Sequence, residues 1–447
     1  MLRTLWFLVK IVALVAAISY VAARPGEVTL LWQDWRLDTS LGALLGFILI
    51  VLVAAILLRD VFYTLLNMPG RWRQDRLKKR EAKGMDALSQ GLVAIAAGDG
   101  EEANLQARRA QRYLPNLPLR LLLSAQAAQL NGDKGAAHRY FTQLSHEPKL
   151  AFLGIRGLLG EAHAAQDRQE ALKLARSAHH LQPKSAWVVQ TLFKLQAENG
   201  LWEEASQSLR QIERQRIWLA PRIRRHRAAL WLARARRLNQ AGEDEAGAKL
   251  LRKAVKEERR FFPAALEYAG YLVVNRKTTR ARRVLERAWA AQAAAPIAKA
   301  YMEWNSNLTP LKKLPLAEKL AKLSPQSVES SLLMAEAALD AELWGVAREH
   351  AQNAERLNQD GRSFELLARL ARLERRFKDA EMLTHQAQNA PPPPAWICQE
   401  CHQIHRDWQA LCQNCDGFDT LAWQSPKQHL PLIAKRQSAA LPLASGF

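Results

Sequence analysis

The sequence predicts an all-α chain in three parts: a membrane hairpin, a long array of helix-turn-helix repeats and a small cysteine module. Three observations predict it. First, Ala103, Ala136, Ala171, Ala205, Gly247, Ala281, Lys313, Ala347 and Ala380 mark one recurring position, at steps of 33, 35, 34, 42, 34, 32, 34 and 33 residues. Second, two apolar runs precede the repeats, and third, all four cysteines follow them. Composition agrees. Of 447 residues 49% are apolar, enough for a large core, while aromatics make up only 7% and Ala, Leu, Arg, Glu and Gln dominate, a helical balance. The net charge of +21 calls for an anionic partner or surface.

Residues 1–60 read as a transmembrane hairpin with spans at about 5–23 and 41–58. Leu5 to Ala23 is apolar apart from Lys10 and Ser19, and 19 residues in a helix reach about 28 Å, enough for the hydrocarbon core. Lys10 can snorkel to the head groups. The rival is a cleavable signal peptide cut near Ala22 and Ala23; the length favours a retained span. Leu41 to Leu58 holds no charge and places Gly42 and Gly46 in the G-x-x-x-G spacing that permits close helix contact in lipid. Arg59, Arg71, Arg73, Arg76, Lys78, Lys79, Arg80 and Lys83 follow, whereas the loop between the spans has only Arg24 and Arg36 against Glu27, Asp34 and Asp38. The positive-inside rule then puts both ends of the chain in the cytoplasm. Trp32 and Trp35 would anchor the outer loop at the interface. Residues 61–83 form a basic juxtamembrane connector.

Residues 84–390 form the array. Seven residues after the first marker comes a second small or apolar one, as at Ala110, Ala178, Ile212, Ala254, Ala288, Leu320, Ala354 and Ala387, and a proline often closes the unit, as at Pro115, Pro148, Pro183, Pro325 and Pro392. Small residues recur where antiparallel helices approach closely. This pattern resembles the tetratricopeptide repeat, best matched by Gly91, Ala94, Ala103, Ala107, Ala110 and Pro115 and worst at Lys313. Gly98-Asp99-Gly100-Glu101-Glu102-Ala103 matches a dinucleotide fingerprint in letters, but no strand precedes it, so it reads as a turn between helices.

One window stands out for charge. From Arg210 to Arg260 there are 16 Lys and Arg against 6 Asp and Glu, beside the long 42-residue step. Arg222, Arg224, Arg225 and Arg227 are the candidate patch for an anionic ligand; solvated helix faces in a basic protein are the alternative. Nucleic acid is not expected, since no recognised module accompanies the charge.

Residues 391–425 carry the one motif with definite chemistry. Pro391 to Pro394 cannot continue a helix and act as a stiff spacer. Cys398-x-x-Cys401, ten residues and Cys412-x-x-Cys415 follow, and two such knuckles present four thiolates tetrahedrally, as in zinc ribbons and rubredoxin-like modules. Zn2+ is the expected metal, with iron also suited to four thiolates. Cys398-Gln-Glu-Cys401-His402 also spells a c-type haem attachment site, which would need a C-terminus outside the cytoplasm and leave Cys412 and Cys415 unused. The tryptophans of this segment are expected to cover the last repeat, and residues 426–447 to form a tail. No nucleophile–base set is legible, so no enzyme is expected.

The layout resembles the proteobacterial HemY family, and the ribbon with Phe418-Asp419-Thr420-Leu421-x-Trp423 looks like its alphaproteobacterial form. The resemblance implies a protein of the bacterial inner membrane linked to late haem biosynthesis, with haem-pathway enzymes as partners and a porphyrin as a potential ligand, but no established catalytic role. The flavin-dependent protoporphyrinogen oxidase of the same name is unrelated, and its activity is not transferred. The chain is also similar to the LapB-type regulators of lipopolysaccharide assembly, which join one span to such repeats and a rubredoxin-like module. That resemblance implies a regulatory adaptor whose ribbon packs on the repeats.

Overall fold

The computed structural model describes residues 27–32, 35–305, 308–358 and 360–426, with residues 12, 15, 16, 19 and 20 ahead of them. Apart from those five helical positions, the expected first span at 5–23 lies outside the described residues, as does the tail beyond 426. The chain divides into two compact units, Met1–Asp133 and Lys134–Phe447.

The first unit departs from an all-α plan at once. The stretch read as a loop between spans is a hairpin of β1 (Glu27–Trp32) and β2 (Trp35–Ser40), antiparallel from Glu27 opposite Ser40 to Trp32 opposite Trp35. Val28, Thr29, Trp32 and Trp35 are residues that favour a pleated strand. The Ser40 hydroxyl then accepts a bond from the Ala43 amide and starts α1 (Leu41–Ala97). This helix of 57 residues is continuous. Its window Leu41–Arg59 has a mean hydropathy of 3.1 and no buried part, the one candidate span among the described residues. Its far end is the first helix of the array. The expected boundaries at 60 and 84 therefore fall inside one helix, because the basic run from Gln74 to Lys83 consists largely of strong helix formers.

Helix α1 stops at Gly98, whose φ of 78° lets its amide reach back to the Ala94 and Ile95 carbonyls. Asp99 caps α2 (Gly100–Tyr113) by accepting from the Glu102 amide at 3.0 Å. The fingerprint-like Gly98–Ala103 is thus a helix-to-helix corner. Helix α3 (Leu119–Leu130) packs on both, and at Gly91 it approaches so closely that a Cβ would lie 2.7 Å from the Leu123 methyls.

The second unit continues with α4 (Lys134–Ser145), α5 (Ala151–Ala164), α6 (Arg168–Leu181), α7 (Ala186–Glu198), α8 (Trp202–Arg214), α9 (Ala220–Gln240), α10 (Asp244–Glu257), α11 (Phe262–Val274), α12 (Thr278–Ala291), α13 (Ala295–Glu303), α14 (Pro310–Ala321), α15 (Val328–Asp340), α16 (Trp344–Leu357), α17 (Gly361–Leu373) and α18 (Phe377–Asn389), each packed on the next. The marker residues sit in the first turn of α2 and of every even-numbered helix after it, and Ala103, Ala171, Ala205, Gly247, Ala281, Ala347 and Ala380 are buried. The second marker is Ala137, not Ala136, which is half-buried; the first two steps then become 34 and 34. The seventh repeat is the irregular one. Its α13 has 9 residues, α14 contains Pro315, and Ala317 rather than Lys313 is buried.

Helix α9 has 21 residues where α7 and α11 have 13. The 42-residue step is therefore an extended helix. Aligned on the start of α10, the eight surplus residues are 220–227, the stretch that holds the arginine patch.

After Pro391–Pro394 the chain forms a three-stranded antiparallel sheet, β4-β3-β5, from β3 (Ala395–Cys398), β4 (Ile404–His405) and β5 (Leu421–Gln424). It does not cover the last repeat. It lies on α7, α8, α9 and the start of α11, and its Trp396, Trp408, Phe418 and Leu421 join the core cluster of those helices. The physical reason is aromatic complementarity: Phe193, Trp202, Trp218, Phe261 and Phe262 gather at the middle repeats, whereas α18 buries only Ala380.

Candidate metal centre

The two knuckles adopt matching backbones. The Cys398 amide donates to Gln403 O and the His402 amide to Cys398 O; the Cys412 amide donates to Gly417 O and the Asp416 amide to Cys412 O. His402 and Asp416 take positive φ of 59° and 56°, the tight reversal that turns each pair of sulfurs inward. The four Sγ atoms lie within 4.8 Å of one another, with Cys398–Cys415 and Cys401–Cys412 both at 3.6 Å. Four sulfurs at about 2.3 Å from one metal have edges near 3.8 Å, so the donor set fits a tetrahedral thiolate site. All four cysteines are free, and Cys398 and Cys412 are buried.

Surrounding donors suit thiolates. The Cys401 amide lies 3.5 Å from Cys398 Sγ and His405 Nε2 3.3 Å from Cys412 Sγ, while the Thr420 hydroxyl accepts from Cys398 Sγ at 3.2 Å and donates to Gly417 O. Burial lowers the pKa of His405, favouring a neutral ring. Burial pushes the Cys412 and Cys415 thiols up. At Cys401 burial also pushes upward, but hydrogen bonds from Asn414 and the Gln403 backbone outweigh it and hold the thiol down at about 7. A cation is what lets all four ionise together. The inward convergence of Cys398 and Cys401 on Cys412 and Cys415 leaves no pair presented outward for haem attachment.

The ribbon is clamped to the array by the carboxylate of Asp419. Asp419 is 0% exposed; Arg225 Nε and Nη2 donate to its two oxygens at 3.0–3.1 Å, and His226 Nδ1 lies 3.2 Å away. Arg225 Nη2 also donates to Leu421 O. Arg236 donates to Trp408 O at 3.0 Å and stacks over its ring, and Arg168 pairs with Asp416. Around these bonds Phe418 meets Phe193 and Trp202, Trp408 meets Phe261, and Trp396 and Trp423 meet Phe262, with ring centroids 4.9–6.0 Å apart.

The four patch arginines therefore divide. Arg225 is committed to Asp419. Arg227 bridges Glu213 and Glu257, both at 2.6 Å. Arg222 lies over the Trp218 ring, and Arg224 is exposed with no partner among the described residues. The signal for Asp419 was available in principle, as the one acid in an apolar stretch beside the ribbon, but nothing in the letters says which helix it meets.

Residues 26–132 match the family model of the HemY protein N-terminus. Over 469 aligned positions the chain is 26% identical to the probable magnetosome protein Mms48 of Magnetospirillum gryphiswaldense, covering 100% of this chain and 97% of that protein. Among solved structures it is similar to yeast Tom70, at 11% identity over 75% of this chain and 92% of that one, with a TM-score of 0.30. It is also similar to the C-terminal part of a TPR repeat-containing protein from Cytophaga hutchinsonii, at 14% identity over 54% and 95%, with a TM-score of 0.31. Scores this low carry no functional weight, and the repeat assignment rests on helix spacing. The N-terminal segment, residues 26–132, is thus of the HemY N-terminal type, in keeping with the resemblance read from the sequence.

Proposed function

We propose that this protein is a membrane-anchored scaffold on the cytoplasmic face of a bacterial inner membrane, gathering enzymes of late haem biosynthesis through its repeats. The observation that carries the reading is the join of an apolar, membrane-length helix segment, inside the matched HemY region, to a tetratricopeptide-like array in one continuous helix. Stacked repeats offer extended surfaces for proteins. The haem link comes from the family and not from a site. Cys398, Cys401, Cys412 and Cys415 would hold one Zn2+, which supplies a structural crosslink and no chemistry on a substrate. The propionates of a porphyrin suit arginine pairs, and Arg222 and Arg224 are the patch members still free of carboxylates.

The test is affinity purification of the full chain from solubilised membranes, with co-purifying proteins and pigment identified, alongside porphyrin pools in a deletion strain. Haem-pathway enzymes in the eluate and a shifted porphyrin pool support the reading. An unchanged pool and no such enzyme overturn it. One observation favours a second reading, a regulatory adaptor for another membrane protein: the ribbon packs on the repeats, as the LapB-type resemblance implies. A protease or lipopolysaccharide-assembly protein in the same eluate would support that instead.

A further inference from the structure

Besides Arg222 and Arg224 of the patch, cations without a carboxylate partner among the described residues recur on the outer faces of α8, α10 and α12. Each of these helices buries one side against its neighbours: Ala205, Leu209 and Ile212 on α8, Ala248, Leu251 and Ala254 on α10, Ala281, Leu285 and Ala288 on α12. On the opposite side, cations recur at equivalent positions. Arg210 and Arg214 of α8 are followed 42 residues later by Arg252 and Lys256 of α10, and Lys253 of α10 is followed 34 residues later by Arg287 of α12. These are the same steps that separate the helices themselves. All six are exposed, and none has a carboxylate partner among the described residues.

Most acids of the same helices are engaged in ion pairs within the chain. Glu203 pairs with Arg234, Glu204 with Arg176, Glu213 and Glu257 with Arg227, and Glu286 with Lys319. Glu243, Asp244 and Glu245 remain at the start of α10, where the helix dipole favours them, and Glu258 remains at its C-terminal cap. Intramolecular pairing has thus removed negative charge from this face and left positive charge on it.

We infer that this face is a second membrane contact, binding the anionic head groups of the bilayer in which the chain is anchored. Helices α9 and α11 each pack between two of the three, so α8, α10 and α12 form one layer. The cations are thus spread over three helices of one layer. Such a surface matches a plane of phosphates, whereas a peptide needs a groove. At the α11–α12 corner Val274, 84% exposed, stands beside Arg276 and Lys277, an aliphatic contact flanked by cations as an interfacial site requires. Polybasic surfaces near an anionic leaflet are attracted over about a Debye length. The inference rests on the membrane anchoring proposed above, and the two fail differently.

The experiment uses the full chain in nanodiscs of phosphatidylcholine alone or with about a third phosphatidylglycerol. Lysines are labelled with an amine-reactive reagent and quantified by mass spectrometry. Failure to enter discs of either kind would sink the anchoring. With the chain inserted, labelling of Lys253 and Lys256 should fall several-fold in anionic relative to neutral discs, while exposed Lys134 and Lys378 serve as references. High salt should abolish the difference. A triple variant, Arg210→Glu, Arg252→Glu and Arg287→Glu, should also abolish it; these positions are exposed, and circular dichroism checks that helix content is kept. Equal labelling of Lys253 and Lys256 in both discs overturns the inference. So does protection that persists at high salt or in the triple variant.

Discussion

Replacing Asp419 by Asn tests whether the ribbon is held to the array by a charge clamp. The change keeps the shape of the side chain and removes its charge. The carboxylate is fully buried and takes two guanidinium nitrogens of Arg225, with His226 at hydrogen-bond distance. Bonds to charged groups are worth about 1.5–3 kcal/mol each, but Arg225 is 31% exposed, so solvent screens part of this. A loss of about 2–3 kcal/mol in docking is the reasonable expectation, or roughly a 30- to 150-fold rise in the undocked population. Hydrogen exchange on metal-loaded protein reads it. Peptides covering 416–424 of the ribbon and 220–228 of α9 should exchange faster. Amides of the first knuckle, such as that of His402, should stay protected, because the metal and not the array holds them. A double-mutant cycle with Arg225→Gln should show a coupling of about 1–3 kcal/mol. Additive single effects, or unchanged exchange in Asp419→Asn, would refute the clamp.

Three further outcomes follow from the same geometry. Cys412→Ser should lower bound metal well below one ion per chain and make the segment after Pro394 protease-sensitive while the helical content persists, since a module this small lacks its own core; metal-free wild-type protein with a protected C-terminus would contradict it. Burial raises the pKa of Glu198, whose side chain is 10% exposed, with Lys194 and Arg168 opposing. A raised carboxyl contributes stability that is complete below the unfolded value and lost as pH rises through the folded one, so Glu198→Gln should gain on wild type as pH rises above the ordinary carboxylate range, read by urea denaturation across pH; parallel curves would count against it. Deleting residues 220–227 should leave a folded array with its regular step and release the ribbon, seen as rapid exchange of β3 and β5; retained protection there would show that the aromatic contacts suffice alone.

The repeat was legible because close helix packing admits few residues at the marker positions, and Ala103, Ala205 and Ala281 announce it from any context. The cysteine knuckles were legible for a similar reason: the repeated Cys-x-x-Cys spacing brings four sulfurs together. What the letters did not carry was the destination of the ribbon. Asp419 and Arg225 are 194 residues apart, and nothing local distinguishes an arginine that will meet a carboxylate from one that will meet water. The β1–β2 hairpin was missed because a short segment between apolar runs offers no periodicity to read, and its pairing is set by register between neighbours.

The eight surplus residues of α9 join the two legible parts. Eight residues add about 12 Å of helix, a little over two turns. On this extension Ile223 is buried toward the array, while Arg225 and His226 reach the ribbon and Arg227 ties the extension to α8 and α10 through Glu213 and Glu257. A helix of the regular length would begin at about residue 228 and present none of these groups. The insertion therefore costs the array its period and supplies a braced post for the ribbon. This also reinterprets the basic window. Its arginines are dense because several serve internal clamps that consume acids, and those clamps leave the cations of α8, α10 and α12 as the net charge of the outer surface. One insertion thus accounts for where the cysteine module docks and, through Arg227, for the pairing of Glu213 and Glu257 on α8 and α10.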